Sequence, residues 1–365
     1  MSKKLVFALV LVVVLVSSLA AACAKPAPTP APAPSPAPEP AQAVEVIKWI
    51  VQDDNPSTMT TYLSLDRVSK AIEAASGGRF VIQPNEGGAI VPADTEHEGV
   101  QKGILDGCSM GPILWVGDMP ASPPFSTTVG GPTALQYYMW YLYGEGFTLM
   151  KEMFDAGGYE NLKPVGAICR EPETFLYTDF PIASPDDLDG KKMRLLGDEA
   201  EIFSPLGVAA VATVSGEIYE AMQRGVIDGF QHSSLAADVT LGFNEVADYA
   251  YVSPVRQPTD MYIYIVNEKS WAELPNDLKW IYTELVWAEG IRHYSEWTYK
   301  NTLATQQWIE FGVNVEPAPK SLEDKLIQLS NDFYSKRQAE DPFYDRLMTS
   351  LQNWRDAYAK TYPRL

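Results

Sequence analysis

Residues 181–228, PIASPDDLDGKKMRLLGDEAEIFSPLGVAAVATVSGEIYEAMQRGVID, decide how the fold is read. Ser184 stands where a side chain caps a helical turn, and Pro185 suits the first position of that turn. Asp189-Gly190 then turns the chain into a short strand from Lys191 to Leu196. Gly197 ends it, and residues 200–206 read as a helix. The uncharged run 208–214 suits a strand buried on both faces. Ser215 or Gly216 caps a second helix over 217–224, which Gly225 closes, and 226–230 is the next strand. Strand, helix, strand, helix, strand is a doubly wound α/β unit, and such units bind ligands at the carboxyl ends of their strands. Arg194 lies at such an end.

Working outward, residues 44–52 alternate apolar and polar side chains as an opening strand does. A helix over 62–75 and a strand over 80–83 follow, joined by Ser76-Gly77-Gly78-Arg79. A short helix at 96–102 leads into Gly103-Ile104-Leu105-Asp106. That motif matches Gly225-Val226-Ile227-Asp228, so the two are read as equivalent points in two lobes of similar plan. The aromatic cluster of Tyr137, Tyr138, Trp140, Tyr141 and Tyr143 has helical spacing and reads as core. Residues 162–168 form a strand expected to enter the second lobe. The strands 249–253 and 261–267 are expected to return the chain to the first. From 276 to about 311 no proline interrupts a helical pattern, and a helix of that length can brace both lobes. Helices over 322–338 and 344–362 close the chain.

The motif Pro181-Ile182-x-Ser184-Pro185-x-Asp187-Leu188-x-Gly190-x-Lys192-x-Arg194 resembles the solute-binding receptors of tripartite ATP-independent periplasmic (TRAP) transporters. Leu206-Gly207 and Glu217-x-Tyr219-x-Ala221-x-Gln223-x-Gly225-x-x-Asp228 extend the resemblance. Ser76-Gly77-Gly78-Arg79-Phe80, the loop Trp115-x-Gly117-x-x-Pro120-Ala121 and Trp271-x-x-Leu274-Pro275 carry it along the rest of the chain. The resemblance implies two doubly wound lobes with a cleft between them, bridged by a long helix. It implies delivery of an organic acid to the TRAP membrane subunits. It also implies that Arg194 grips the ligand carboxylate; a planar guanidinium meets both carboxylate oxygens, which lysine cannot do.

Further ligand positions come from the same resemblance, nearest its 2-oxo/hydroxy-acid-binding branch. Relatives there hold a cation beside the ligand with an amide before the Pro-Ile segment and a glutamate-tryptophan pair after the last strand. At those places this chain has Glu173, and Gln231 with His232. Glu173 and Gln231 could hold calcium or sodium, or could bond the ligand directly. Trp115 either borders the ligand or is a core aromatic. Thr174 stands where the sialic-acid branch has arginine, which argues against that ligand; Arg170 and Arg256 either compensate or are surface charges.

Residues 1–22 read as a signal peptide: Lys3-Lys4, an apolar run over 5–16 too short to span a bilayer, then small residues before Cys23. The approach to Cys23 resembles a lipoprotein lipidation box; an ordinary cleavage site is the alternative. Residues 23–42 form a Pro/Ala linker expected to adopt extended polyproline II, a stalk that suits an anchored protein. The expected lobes are 43–161 plus 253–290, and 162–252 plus 291–365.

Composition narrows the function. With 28 Lys+Arg against 47 Asp+Glu, the formal net charge is −19, which argues against nucleic-acid binding. Cys108 and Cys169 read as buried thiols, with a disulfide as the alternative. The three histidines have no metal-type spacing. The sequence has no nucleophile elbow, phosphate loop or zinc-protease motif, so a non-enzymatic receptor is expected. A receptor serving a sensor kinase, or a cleft enzyme acting on a carboxylic acid, are the alternatives.

Overall fold

The computed structural model describes residues 46–213 and 215–362. The signal, the linker and the Cys23 lipidation site lie outside the described residues. Two sheets organise the chain. The first is built from β1 (Ile47–Asp53), β2 (Phe80–Asn85), β3 (Gly107–Met110), β4 (Leu162–Arg170) and β10 (Asp260–Asn267), in the order β2-β1-β3-β10-β4. The second contains β5 (Leu176–Thr178), β6 (Lys192–Arg194), β7 (Ala209–Val211), β8 (Gly229–Phe230), β9 (Tyr249–Val252) and β11 (Asn314–Pro317), in the order β11-β9-β5-β8-β6-β7.

The same plan recurs in both. β1 pairs in parallel with β2 and β3, and β6 pairs in parallel with β7 and β8. An antiparallel strand then follows, β10 in one sheet and β5 in the other. Helix α1 (Thr60–Ala75) buries Leu65, Val68 and Ile72, spaced three to four residues apart, so one face meets the sheet. α2 is Glu96–Gln101.

The two Gly-x-x-Asp motifs do equivalent work. Gly103 and Gly225 take φ of 69° and 65°, a left-handed conformation that favours glycine after a helix. Three residues on, Asp106 accepts from the Ile50 N–H at 2.9 Å, and Asp228 accepts from the Lys192 N–H at 2.8 Å. Each carboxylate thereby ties the incoming strand to the strand beside it.

The aromatic run forms α3 (Ala134–Tyr143) and α4 (Gly146–Ala156), separated at Gly144. Tyr137, Tyr138, Trp140 and Tyr141 are core residues as expected, while Tyr143 is exposed. The short α5 (Asp198–Phe203), α6 (Ile218–Gln223) and α7 (Leu235–Asp238) belong to the second sheet's connections. α8 (Glu268–Glu273) precedes α9, which runs unbroken from Asn276 to Phe311. In its first half α9 packs on the first sheet: a Cβ on Gly290 would lie 3.0 Å from the Ala167 carbonyl of β4 and 2.0 Å from the Tyr138 hydroxyl of α3, so only glycine allows this approach. Near its end Trp308 stacks on Tyr177 and donates to the Leu235 carbonyl at 3.0 Å. α10 (Lys320–Glu340) and α11 (Pro342–Thr361) complete the fold.

Three expectations change. Residues 162–170 do not open a second lobe; β4 pairs with β10 along its length, from Arg170 opposite Asp260 to Leu162 opposite Asn267. β9 does not return to the first sheet but lies between β5 and β11. β7 is not buried on both faces: it is an edge strand with β6 alone beside it, and Ala209 and Ala210 are exposed. Small alanines tolerate either environment, so the uncharged run was ambiguous. Cys108 and Cys169 are free buried thiols, as read from sequence. β10 runs between their strands and keeps them apart.

Candidate functional site

A cavity of about 450 Å³ opens where strand ends of both sheets face each other. From the first sheet come Arg170 at the end of β4, and Asp260 and Tyr262 on β10. From the second come Arg194 at the end of β6, then Gln231, His232 and Ser233 just after β8. Parallel β6 and β8 are in register, so Arg194 and the residues after Phe230 reach the cavity together.

Arg194 is buried, with 4% of its surface exposed. Its Nη1 donates to the Gln231 carbonyl at 2.6 Å and its Nε to the Thr213 carbonyl at 3.1 Å. Among the described residues no carboxylate pairs with it. Asp187 is occupied by the N–H groups of Ala183 and Ser184, and Asp198 pairs with Arg337. Two neutral carbonyls fix the guanidinium without cancelling its charge. Burial pulls its pKa down, opposed by Glu173 and Glu199, and the group keeps its proton in any case.

The glutamates are held differently. Arg256 is fully buried, and its Nη2 donates to Glu173 Oε2 at 2.8 Å while its Nη1 donates to Glu199 Oε1 at 2.6 Å. It also donates to the Phe175 and Thr174 carbonyls. Arg256 is thus an internal hub and not a surface charge. Burial raises the Glu199 pKa, with Arg256 opposing. Arg170 donates to Asp260 at 3.3 Å and to the Ser233 hydroxyl at 2.5 Å. Burial pushes the Asp260 carboxyl up to about 6 against the pull of Arg170. Arg194 is therefore the one cavity arginine with no carboxylate partner among the described residues.

His232 places Nδ1 2.6 Å from Asp238 Oδ1 and Nε2 3.1 Å from the Ser215 hydroxyl. Asp238 also accepts from Tyr177 and from the Ser233 N–H, which locks the turn after β8. Arg194, Glu173, Gln231 and His232 thus line one cavity.

Trp115 does not join them. It is wholly buried against Phe154, with ring centroids 5.3 Å apart, and is a core aromatic; Ile113 from the same turn reaches the cavity instead. The sequence reading also missed Glu199, Asp260, Tyr262 and Asn55. The carboxyl-end rule applied to β4 points to Arg170, whereas Asp260 opens antiparallel β10 at its amino end and falls outside that rule.

The match to known proteins covers this framework. Residues 52–341 match the family model described as bacterial extracellular solute-binding protein, family 7. The chain belongs to this family. Family members are solute-binding proteins, which agrees with a cleft built around a held guanidinium. The monocarboxylate 2-oxoacid-binding periplasmic protein of Nostoc sp. is 24% identical over 310 residues, covering 85% of this chain and 84% of its own. A TRAP transporter solute-binding protein from Bordetella bronchiseptica, solved with calcium and picolinate, has a TM-score of 0.79 at 23% identity, covering 87% of this chain and 94% of its own. A TRAP solute-binding protein from Colwellia psychrerythraea, solved with calcium and pyruvate, has the same TM-score and identity, covering 88% and 98%. These likenesses establish the fold of two sheets with flanking helices.

Proposed function

We propose that this chain is an extracytoplasmic receptor that binds a small carboxylate-bearing solute and delivers it to a TRAP-type transporter, without acting on it chemically. The observation that carries this reading is Arg194, a buried guanidinium fixed by two carbonyls and facing a cavity between two sheets. A charge-assisted bond contributes about 1.5–3 kcal/mol, whereas micromolar affinity needs about 8 kcal/mol. Tyr262, Gln257, Ser233 and Asn55 supply further contacts from the opposite walls. A ligand that reaches both walls only in the closed form stabilises that form, so binding drives closure by population shift.

The calcium bound together with picolinate or pyruvate in two structural neighbours bears on Glu173 and Gln231. Both line the cavity, and Arg256 engages only Oε2 of Glu173, so one carboxylate oxygen and one amide oxygen suit a hard cation. They are two of the six to eight oxygens that calcium takes, and a ligand carboxylate would add to them. A bound cation would supply positive charge beside the carboxylate. We propose Cys23 as the lipid attachment that holds the receptor at the membrane surface.

Thermal-shift screening of 2-oxo, 2-hydroxy, aromatic and sugar acids, each with and without calcium or sodium, tests the reading. A ligand that binds the folded state raises the melting temperature. A panel in which no carboxylate shifts it, under any ion condition, contradicts the reading.

A further inference from the structure

A second opening lies on the reverse side of the segment that carries Glu173. It measures about 540 Å³, against about 450 Å³ for the cavity at Arg194. Its walls are the two connectors between the sheets, 171–174 and 252–254, together with the 298–305 stretch of α9. Glu173 borders both openings.

The chemistry of this groove differs from that of the front cavity. Its lining includes two carboxylates, Glu171 and Glu173, and no lysine or arginine. Glu171 is 2% exposed; its Oε1 accepts from the Ser234 hydroxyl, while its Oε2 is buried with no partner among the described residues. A buried carboxylate oxygen without a donor is costly, on the order of 1–3 kcal/mol or more. Two of the threonine hydroxyls on the α9 wall already spend their protons: Thr302 donates to the Thr298 carbonyl at 3.1 Å and Thr305 to the Asn301 carbonyl at 3.0 Å. Their oxygens remain acceptors. The groove therefore presents mainly acceptors and negative charge, with the Asn301 amide nitrogen as a donor among them.

We propose that this groove is a second binding site, and that its ligand is a primary alkylammonium ion. The ammonium head has three donors and one positive charge, which suit Glu171 and the threonine oxygens. The alkyl tail suits Pro172, Leu235, Val252 and Pro254 on the remaining wall. A divalent metal fits worse here: it takes six to eight oxygens, and Glu171 offers one free carboxylate oxygen because its Oε1 already accepts from Ser234. An occupant touches both connectors between the sheets, so it sits where any change in their relative angle is absorbed. The site uses neither Arg194 nor a carboxylate ligand, so it stands or falls apart from the receptor reading.

Calorimetric titration of the full chain with n-butylammonium chloride tests it, with tetramethylammonium chloride and sodium chloride as controls at matched ionic strength. Saturable binding of n-butylammonium is expected, with neither control matching it. Glu171→Gln removes the charge, and Thr302→Phe fills the groove from its exposed helix wall without touching a buried bond. Each variant should weaken binding at least tenfold while keeping the wild-type circular dichroism spectrum. No saturable binding to the wild type, equal affinity in a folded Thr302→Phe variant, or equal response to tetramethylammonium or sodium overturns the proposal.

Discussion

Arg194 on β6 donates to the carbonyl of Gln231, the first residue after β8, at 2.6 Å. The return bond, from the Gln231 N–H to the Arg194 carbonyl at 3.2 Å, continues the pairing of the two strands past their ends. A side chain anchored by its own sheet is preorganised, so it loses little conformational freedom when it meets a ligand. The arginine is positioned by backbone geometry and not by a carboxylate that a ligand would have to displace.

Arg256 should matter more for folding than Arg194 does. Replacing it with glutamine leaves Glu173 and Glu199 buried without their cation, and breaking a buried pair this way costs about 3–5 kcal/mol. Urea denaturation of Arg256→Gln should show that loss as a lower midpoint with unchanged slope. A variant as stable as the wild type would mean that the hub is not structural.

Glu96 gives stability a pH dependence of a particular sign. It lies fully buried, its Oε1 accepts from Gln52 at 2.8 Å, and burial pushes its pKa up to about 7. The folded state therefore holds this proton at pH values where the unfolded chain, near 4.5, has released it. Stability falls as pH rises between those values. Asp53, raised to about 6 mainly by burial, acts in the same direction. Glu96→Gln should gain on the order of 1–2 kcal/mol at pH 8 and nearly nothing at pH 4.5, read from denaturation curves at the two pH values.

Gly290 offers a packing test. Alanine is usually the better helix former by about 0.5–1 kcal/mol, yet here its Cβ would meet the Tyr138 hydroxyl at 2.0 Å and the Ala167 carbonyl at 3.0 Å. Overpacking of this kind costs about 1–3 kcal/mol, so Gly290→Ala should melt several degrees lower. A rise in melting temperature would show that α9 can move off the sheet.

Much of this arrangement was legible in the residues. The paired Gly-x-x-Asp motifs announced two similar halves because each encodes a helix end and a strand clamp within four residues. Residues 276–311 were readable as one helix because nothing in them stops one. Strand partners were not legible, since pairing depends on residues far apart in the chain: β4 and β10 are separated by about ninety positions in register, as in Arg170 opposite Asp260. Arg194 could be placed by its strand end and its motif. Trp115 could not, because the same tryptophan fills a core or borders a ligand according to which way one turn of backbone faces. Glu199, and the pairing of Arg256 with it and with Glu173, escaped notice for a related reason: a buried ion network is assembled by tertiary contacts and leaves no local pattern.

The central claim is tested most directly by calorimetric titration of pyruvate, 2-oxobutyrate and lactate into the wild type and Arg194→Lys, side by side. Lysine keeps the positive charge but loses the fork that meets two oxygens. The account expects measurable binding of at least one of these acids to the wild type and affinity at least tenfold lower in a stably folded Arg194→Lys. Wild-type affinity in that variant would contradict it.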